Sequence, residues 1–151
     1  DFLVTSLDDT TNVYLDETNR RMTMNFRNNF ARLADALIAE KDTIKAKIVL
    51  DRCIEVMPNE SVAYNYFNIP IADAYYRIGE AKKASEILNI IANDCFDELE
   101  YYNSLDAKTL NQMDRDYQLT NQVIGSIFNL SQIYNDEALL EKISTLYQQY
   151  Q

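Results

Sequence analysis

The stretch IADAYYRIGEAKKASEIL, Ile71 to Leu88, decides the fold. It holds Gly79, one of two glycines in 151 residues, between an aromatic pair and a run carrying Ala81 and Ala84. A helix that reverses into an antiparallel neighbour commonly ends on a residue at positive φ, which glycine adopts without a Cβ clash. The stretch therefore reads as helix, turn, helix. Ile78 closes the first helix, and Glu80 opens the second, where its charge suits the macrodipole. Ala84, Leu88, Ile91, Cys95, Leu99 and Tyr102 continue that second apolar stripe at helical spacing.

The same periodicity extends both ways. Met22, Phe26, Phe30, Leu33 and Leu37 mark one helix face, and Ala46, Leu50, Cys53 and Met57 mark the next, stopped by Pro58. Pro70 suits a first helical turn, so the third helix is expected to begin near Asn68, after an irregular Ser61–Phe67. Leu110, Met113, Tyr117, Thr120, Ile124, Ile127, Ser131 and Tyr134 form a fifth stripe. Asn135-Asp136 breaks it and caps a sixth helix bearing Leu140, Ile143, Tyr147 and Tyr150. Residues 1–18 show no sustained period and read as an extended lead-in, able to pack through Phe2, Leu3, Val13, Tyr14 and Leu15.

Two glycines and two prolines are too few for a sheet protein with tight turns. The expected fold is all-α, with about six helices in antiparallel pairs. A tetratricopeptide-like frame fits them. Starting at Arg27, it puts Phe30, Leu33, Ala34 and Leu37 on one helix, Ala46, Leu50 and Cys53 on the next, and Pro58 at the close. Restarting at Asn65, it puts Ala72 and Tyr75 before Gly79, and Ala84, Leu88 and Ile91 after it. Short side chains at Ala34, Ala46, Ala72 and Ala84 let helices approach closely. The expected units are about 27–60 and 65–98, with a capping pair at about 107–151 and a right-handed superhelix overall.

The segments YLDETNRRMTMNFRNNFARLADALIAE (Tyr14–Glu40), KAKIVLDRCIEVMPNE (Lys45–Glu60) and YNYFNIPIADAYYRIGEAKKASEI (Tyr64–Ile87) carry a resemblance. They resemble the C-terminal tail of a Bacteroidetes family of large multi-pass membrane proteins of uncharacterised function, whose N-terminal part looks like a protein O-mannosyltransferase. The resemblance covers about residues 14–105. It implies that the chain, which begins at Asp1, is the excised tail of a glycosyltransferase-like parent, on the periplasmic side. It carries no functional residue of the membrane part onto this chain.

Net charge is -10, concentrated at the two ends. Residues 1–18 hold five acids and no base, and residues 93–151 hold ten acids and three bases. Such a surface repels phosphate backbones, so nucleic acid is not an expected partner. No run of 18 apolar residues occurs, so no span is expected in this fragment. Without histidine, Ser-His-Asp, Cys-His and common zinc constellations are excluded. The pairs Asp8-Asp9, Asp16-Glu17, Asp97-Glu98 and Asp114/Asp116 read as solvated charge, with calcium at Asp8-Asp9 the alternative. Arg20, Arg21 and Arg27 read as a surface cluster that pairs with Asp16, Glu17 or the acidic second half, or meets lipid headgroups. Cys53 and Cys95 read as buried thiols.

No catalytic residue, metal or cofactor is therefore expected. The expected functional surface is the concave face of the repeat frame. Asn28, Ala31, Asp35 and Ile38 come from the first unit, and Tyr66, Ile69, Asp73, Tyr76 and Arg77 from the second. Tyr75 is expected in the core and Tyr76 in the groove. Tyrosines, acids and one arginine suit a protein or peptide partner, another part of the parent chain, or a glycan. Ala31 and Asp35 depart from the basic and amide residues of carboxylate-clamp co-chaperones, so that ligand class is not expected. Filling of the groove by the chain's own lead-in or last helix is the competing expectation.

Overall fold

The structure, a computed structural model, describes residues 17–150, and the expectations for the lead-in, Asp8-Asp9 and Asp16 fall outside them. The described residues form seven α-helices and no strand: α1 (Glu17–Ala39), α2 (Thr43–Val56), α3 (Ile69–Arg77), α4 (Ala81–Asn103), α5 (Ala107–Gln112), α6 (Asp114–Ile133) and α7 (Glu137–Gln149). A 3-10 turn, Tyr66–Asn68, leads into α3. The chain divides into two compact units, Asp1–Ala84 and Ser85–Gln151, with the boundary inside α4.

Three helix ends share one turn chemistry. After α3, Gly79 has φ of 85°, its N–H donates to the Tyr76 carbonyl (3.1 Å), and the Glu80 N–H reaches back to Tyr75 (2.9 Å). These paired bonds satisfy carbonyls that the helix end would leave open. Lys41 (φ 63°) repeats them after α1, with Lys41 bonded to Ile38 and Asp42 to Leu37. Asn135 (φ 55°) repeats them after α6, with Asn135 bonded to Gln132 and Asp136 to Ser131. Asp42 and Asp136 then cap the next helices by accepting from Lys45 N and Leu139 N. The first two turns lie 38 residues apart, and the spacing continues into Ala46 and Ala84, then Leu50 and Leu88, all without exposed surface.

In the first unit, α1 packs on α2 and on α3. The buried line of α1 is Thr23, Arg27, Ala31 and Ala34, not the expected Met22, Phe26, Phe30, Leu33 and Leu37. Met22 and Leu33 are exposed, and the others are half-buried. The stripe is offset because its centre is a charged residue. Arg27 is completely buried and donates to the carbonyls of Ala63 (3.0 Å), Met57 (3.3 Å) and Val62, with its guanidinium over the Tyr64 ring. The irregular segment after Pro58 has no helical partners for those carbonyls, and one guanidinium supplies three of them. Arg27 is thus no member of a surface cluster. Arg20 and Arg21 are exposed, and Arg21 pairs with Glu17 at 3.2 Å.

A second polar tie joins α2, α3 and the first turn of α4. The Tyr75 hydroxyl and the Lys83 ammonium both donate to Asp51 Oδ1 at 2.7 Å, and Lys47 pairs with Glu80 at 2.9 Å. Burial pushes the Asp51 carboxyl up, but the Lys83 and Tyr75 hydrogen bonds together outweigh it and leave it below the ordinary value. Pro70 lies in the first turn of α3, as its missing N–H requires. Asn65 caps the preceding 3-10 turn, accepting from Phe67 N while Asn68 accepts from Asn65 N.

In the second unit the expected stripe of α4 is buried from Leu88 through Tyr102. The fifth expected helix is broken at Met113 into α5 and α6. Asp106 caps the short α5, and Asp114 and Asp116 then occupy the first turn of α6, where acids favour a fresh N-terminus. Spacing alone bridged that break, because Leu110 and Met113 continue the α6 period. Tyr102 meets Tyr117 edge-on at 5.8 Å, and Phe96 stacks on Tyr150 at 6.0 Å. Cys53 and Cys95 are free, buried thiols. Burial, opposed at Cys53 by Arg27, pushes each up to about 12, so neither is a reactive thiolate.

Candidate functional site

The first unit brings together three of the expected site residues. Arg77, at the C-terminal end of α3, pairs with Asp35 of α1 and, through Nε at 3.3 Å, with Asp73 one turn back on its own helix. The local sequence explains the set. Asp73 and Arg77 stand at i and i+4, and the Tyr75–Gly79 turn ends the helix just past the guanidinium. Asp35 and Arg77 are solvent-facing, and Asp73 is half-buried. A cation held between two carboxylates is a fixed, net-negative polar ridge. It can accept hydrogen bonds and attract a donor-rich group.

The other expected residues divide. Asn28 is exposed on α1, and Tyr66 is 44% exposed on the 3-10 turn, its ring against Phe67 at 4.5 Å. Ile38 and Ile69 are half-buried, and Ala31 is buried. Tyr75 lies in the core as expected. Tyr76 is buried too, with 8% of its surface exposed, which takes it out of the solvent-facing set. A wall of tyrosines is not what the described residues present.

Two features escaped the residue pattern. Arg27 clasps the segment that delivers Tyr66 and α3, so it positions the ridge without belonging to it. The only available signal was an arginine inside an otherwise workable apolar face. The second feature lies in the other unit. A cleft of about 320 Å³ opens between α6 and α7, lined by Asn121, Ile124, Gly125 and Phe128 from one helix and by Ile143 and Tyr147 among those of the other. A Cβ built on Gly125 meets nothing within 4 Å, so the missing side chain leaves open space there. The Tyr147 hydroxyl donates to Asn121 Oδ1 at 2.9 Å across the cleft.

Among the described residues no group of three acids or cysteines is placed to hold a metal, and no helix is long and apolar enough to cross a membrane. Compared with known proteins, the chain matches no family model, no curated protein and no solved structure.

Proposed function

We propose that the chain is a non-catalytic interaction domain built from helix pairs of the tetratricopeptide kind, and that it holds a protein or peptide partner along the α1–α3 ridge. The observation that carries this reading is the Asp35–Arg77–Asp73 set, joined across two helices with Asp35 and Arg77 exposed, on a unit whose Asn28 and Tyr66 are exposed too. The repeated turn supports the repeat frame, as does the 38-residue spacing of buried alanines, read as the period of about 34 with residues 61–64 inserted. Burial of Tyr76 weighs against the glycan reading, which needs a flat aromatic platform. Descent from a membrane glycosyltransferase-like parent is part of the proposal and rests on the sequence resemblance alone.

A displayed library of random dodecapeptides, panned on the chain, tests this reading. Peptides retained by the wild type should be lost on a double Asp35→Ala, Arg77→Ala variant whose circular dichroism is unchanged. Retention of the same peptides by both proteins would overturn the ridge as the binding surface.

A further inference from the structure

We infer that the α6/α7 cleft of the second unit is a separate docking site, and that its occupant is a basic amphipathic helix from a partner protein. The walls select the apolar part. Ile124 and Ile143 form a buried floor, Phe128 is half-buried beside them, and Gly125 leaves the space of a side chain empty. About 320 Å³ accommodates one or two large aliphatic or aromatic side chains, the payload that a helix delivers from positions i and i+3 or i+4.

Charge selects the rest. Residues 85–151 hold eleven acids and three bases, a net of -8. The acids also lie on the cleft-lining rows. Asp114 falls on the α6 row that continues to Asn121 and Gly125, and Glu137 and Glu141 fall on the α7 row that continues to Ser144 and Gln148. All three are exposed. The two bases on these helices lie off the lining rows: Arg115 is about a third of a turn from the lining face of α6, and Lys142 donates to Asn89 at 2.8 Å. An apolar slot with acids further along the same rows of both its helices disfavours a fatty acid, whose head would meet like charge, and favours leucines flanked by lysines or arginines.

The probe is an acetylated, amidated 14-residue helix with leucines at i, i+3, i+4 and i+7 and lysines elsewhere, and the control replaces every lysine by glutamate. Fluorescence anisotropy should give saturable binding of the lysine peptide, weakened by salt, and none of the glutamate peptide. Gly125→Leu fills the cleft from α6 at a helical position that favours leucine, and Ser144→Tyr fills it from α7. Each should weaken binding by about tenfold or more, as loss of a central apolar anchor does. The two cleft substitutions touch no ridge residue, so the test stands apart from the ridge. Equal binding by wild type and both cleft variants would overturn the proposal and leave only adhesion to an acidic surface. Concentration-dependent self-association by light scattering, lost in Gly125→Leu, would overturn it in favour of a second copy of the chain.

Discussion

The two units bury their polar groups in different ways. The first is clasped: Arg27 ties an irregular segment to α1, and Asp51 ties Tyr75 to Lys83. The second is joined by aromatic contacts, by single side-chain bonds such as Thr120 to Glu98 and Lys142 to Asn89, and by back-bonded hydroxyls such as Ser131 to Ile127, and it keeps a cleft open. A buried guanidinium with three carbonyl partners fixes one arrangement, because any other leaves those acceptors unpaired. A helix hairpin with an unfilled slot tolerates change at the slot. The units should therefore respond oppositely to substitution.

The largest effect is expected at Arg27. Arg27→Ala leaves the carbonyls of Met57, Val62 and Ala63 without their donor and empties a buried site, and should cost about 2–4 kcal/mol. Chemical denaturation monitored by circular dichroism measures it, and a loss below about 1 kcal/mol would remove the clasp from the account.

The two glycines sharpen the comparison. Gly79 has positive φ with open space at its Cβ position, so Gly79→Val should cost about 1 kcal/mol or more through backbone strain alone. Gly125 sits inside α6 facing the cleft, and Gly125→Leu should instead stabilise by up to about 1 kcal/mol through helix propensity. Destabilisation by both would mean that the cleft is not open. A smaller gain, a few tenths of a kcal/mol to about 1, is expected for Lys41→Gly, which relieves a lysine at φ of 63°.

The weakest contrast is in pH dependence. Asp51 in the first unit lies below the ordinary carboxylate value, so its contribution is present above the unfolded value of about 3.9 and is lost as pH falls through its folded value. Asp94 in the second unit is raised by burial and by its neighbours Asp97 and Glu98, so the folded chain binds that proton more readily. Its penalty is present above its folded value and is relieved as pH falls through it. A carboxyl NMR titration should find Asp51 below and Asp94 above the free-residue value; the reverse order would contradict both environments.

Much of this was legible in the residues. Pro58 and Pro70 allow few backbone conformations, and Gly79 alone reaches positive φ without strain, so the stop, the helix start and the turn lie where they require. The small residues Ala46 and Ala84 and the α4 stripe were equally readable, because alanine and apolar spacing have one economical use in a helix pair. Arg27 was not readable, since an arginine on a helix is ordinarily solvated and its carbonyl partners lie 30 to 36 residues away. Nor was the left-handed turn at Lys41, where hydrogen bonds to Leu37 and Ile38 overcome the preference of the side chain. Of the candidate site, the Asp73–Arg77 pair follows from helical spacing, but the Asp35 partner, the burial of Tyr76 and the cleft at Gly125 depend on which helix faces meet.

Mapping the lysine peptide by amide chemical shifts on the labelled chain tests the contrast between clasped and open units most directly. The account predicts perturbations concentrated at Asn121–Phe128 and Ile143–Gln148, saturating together, with the amides of Asn65–Arg77 unmoved. Shifts spread over the exposed acids without saturation, or centred on α1 and α3, would contradict it.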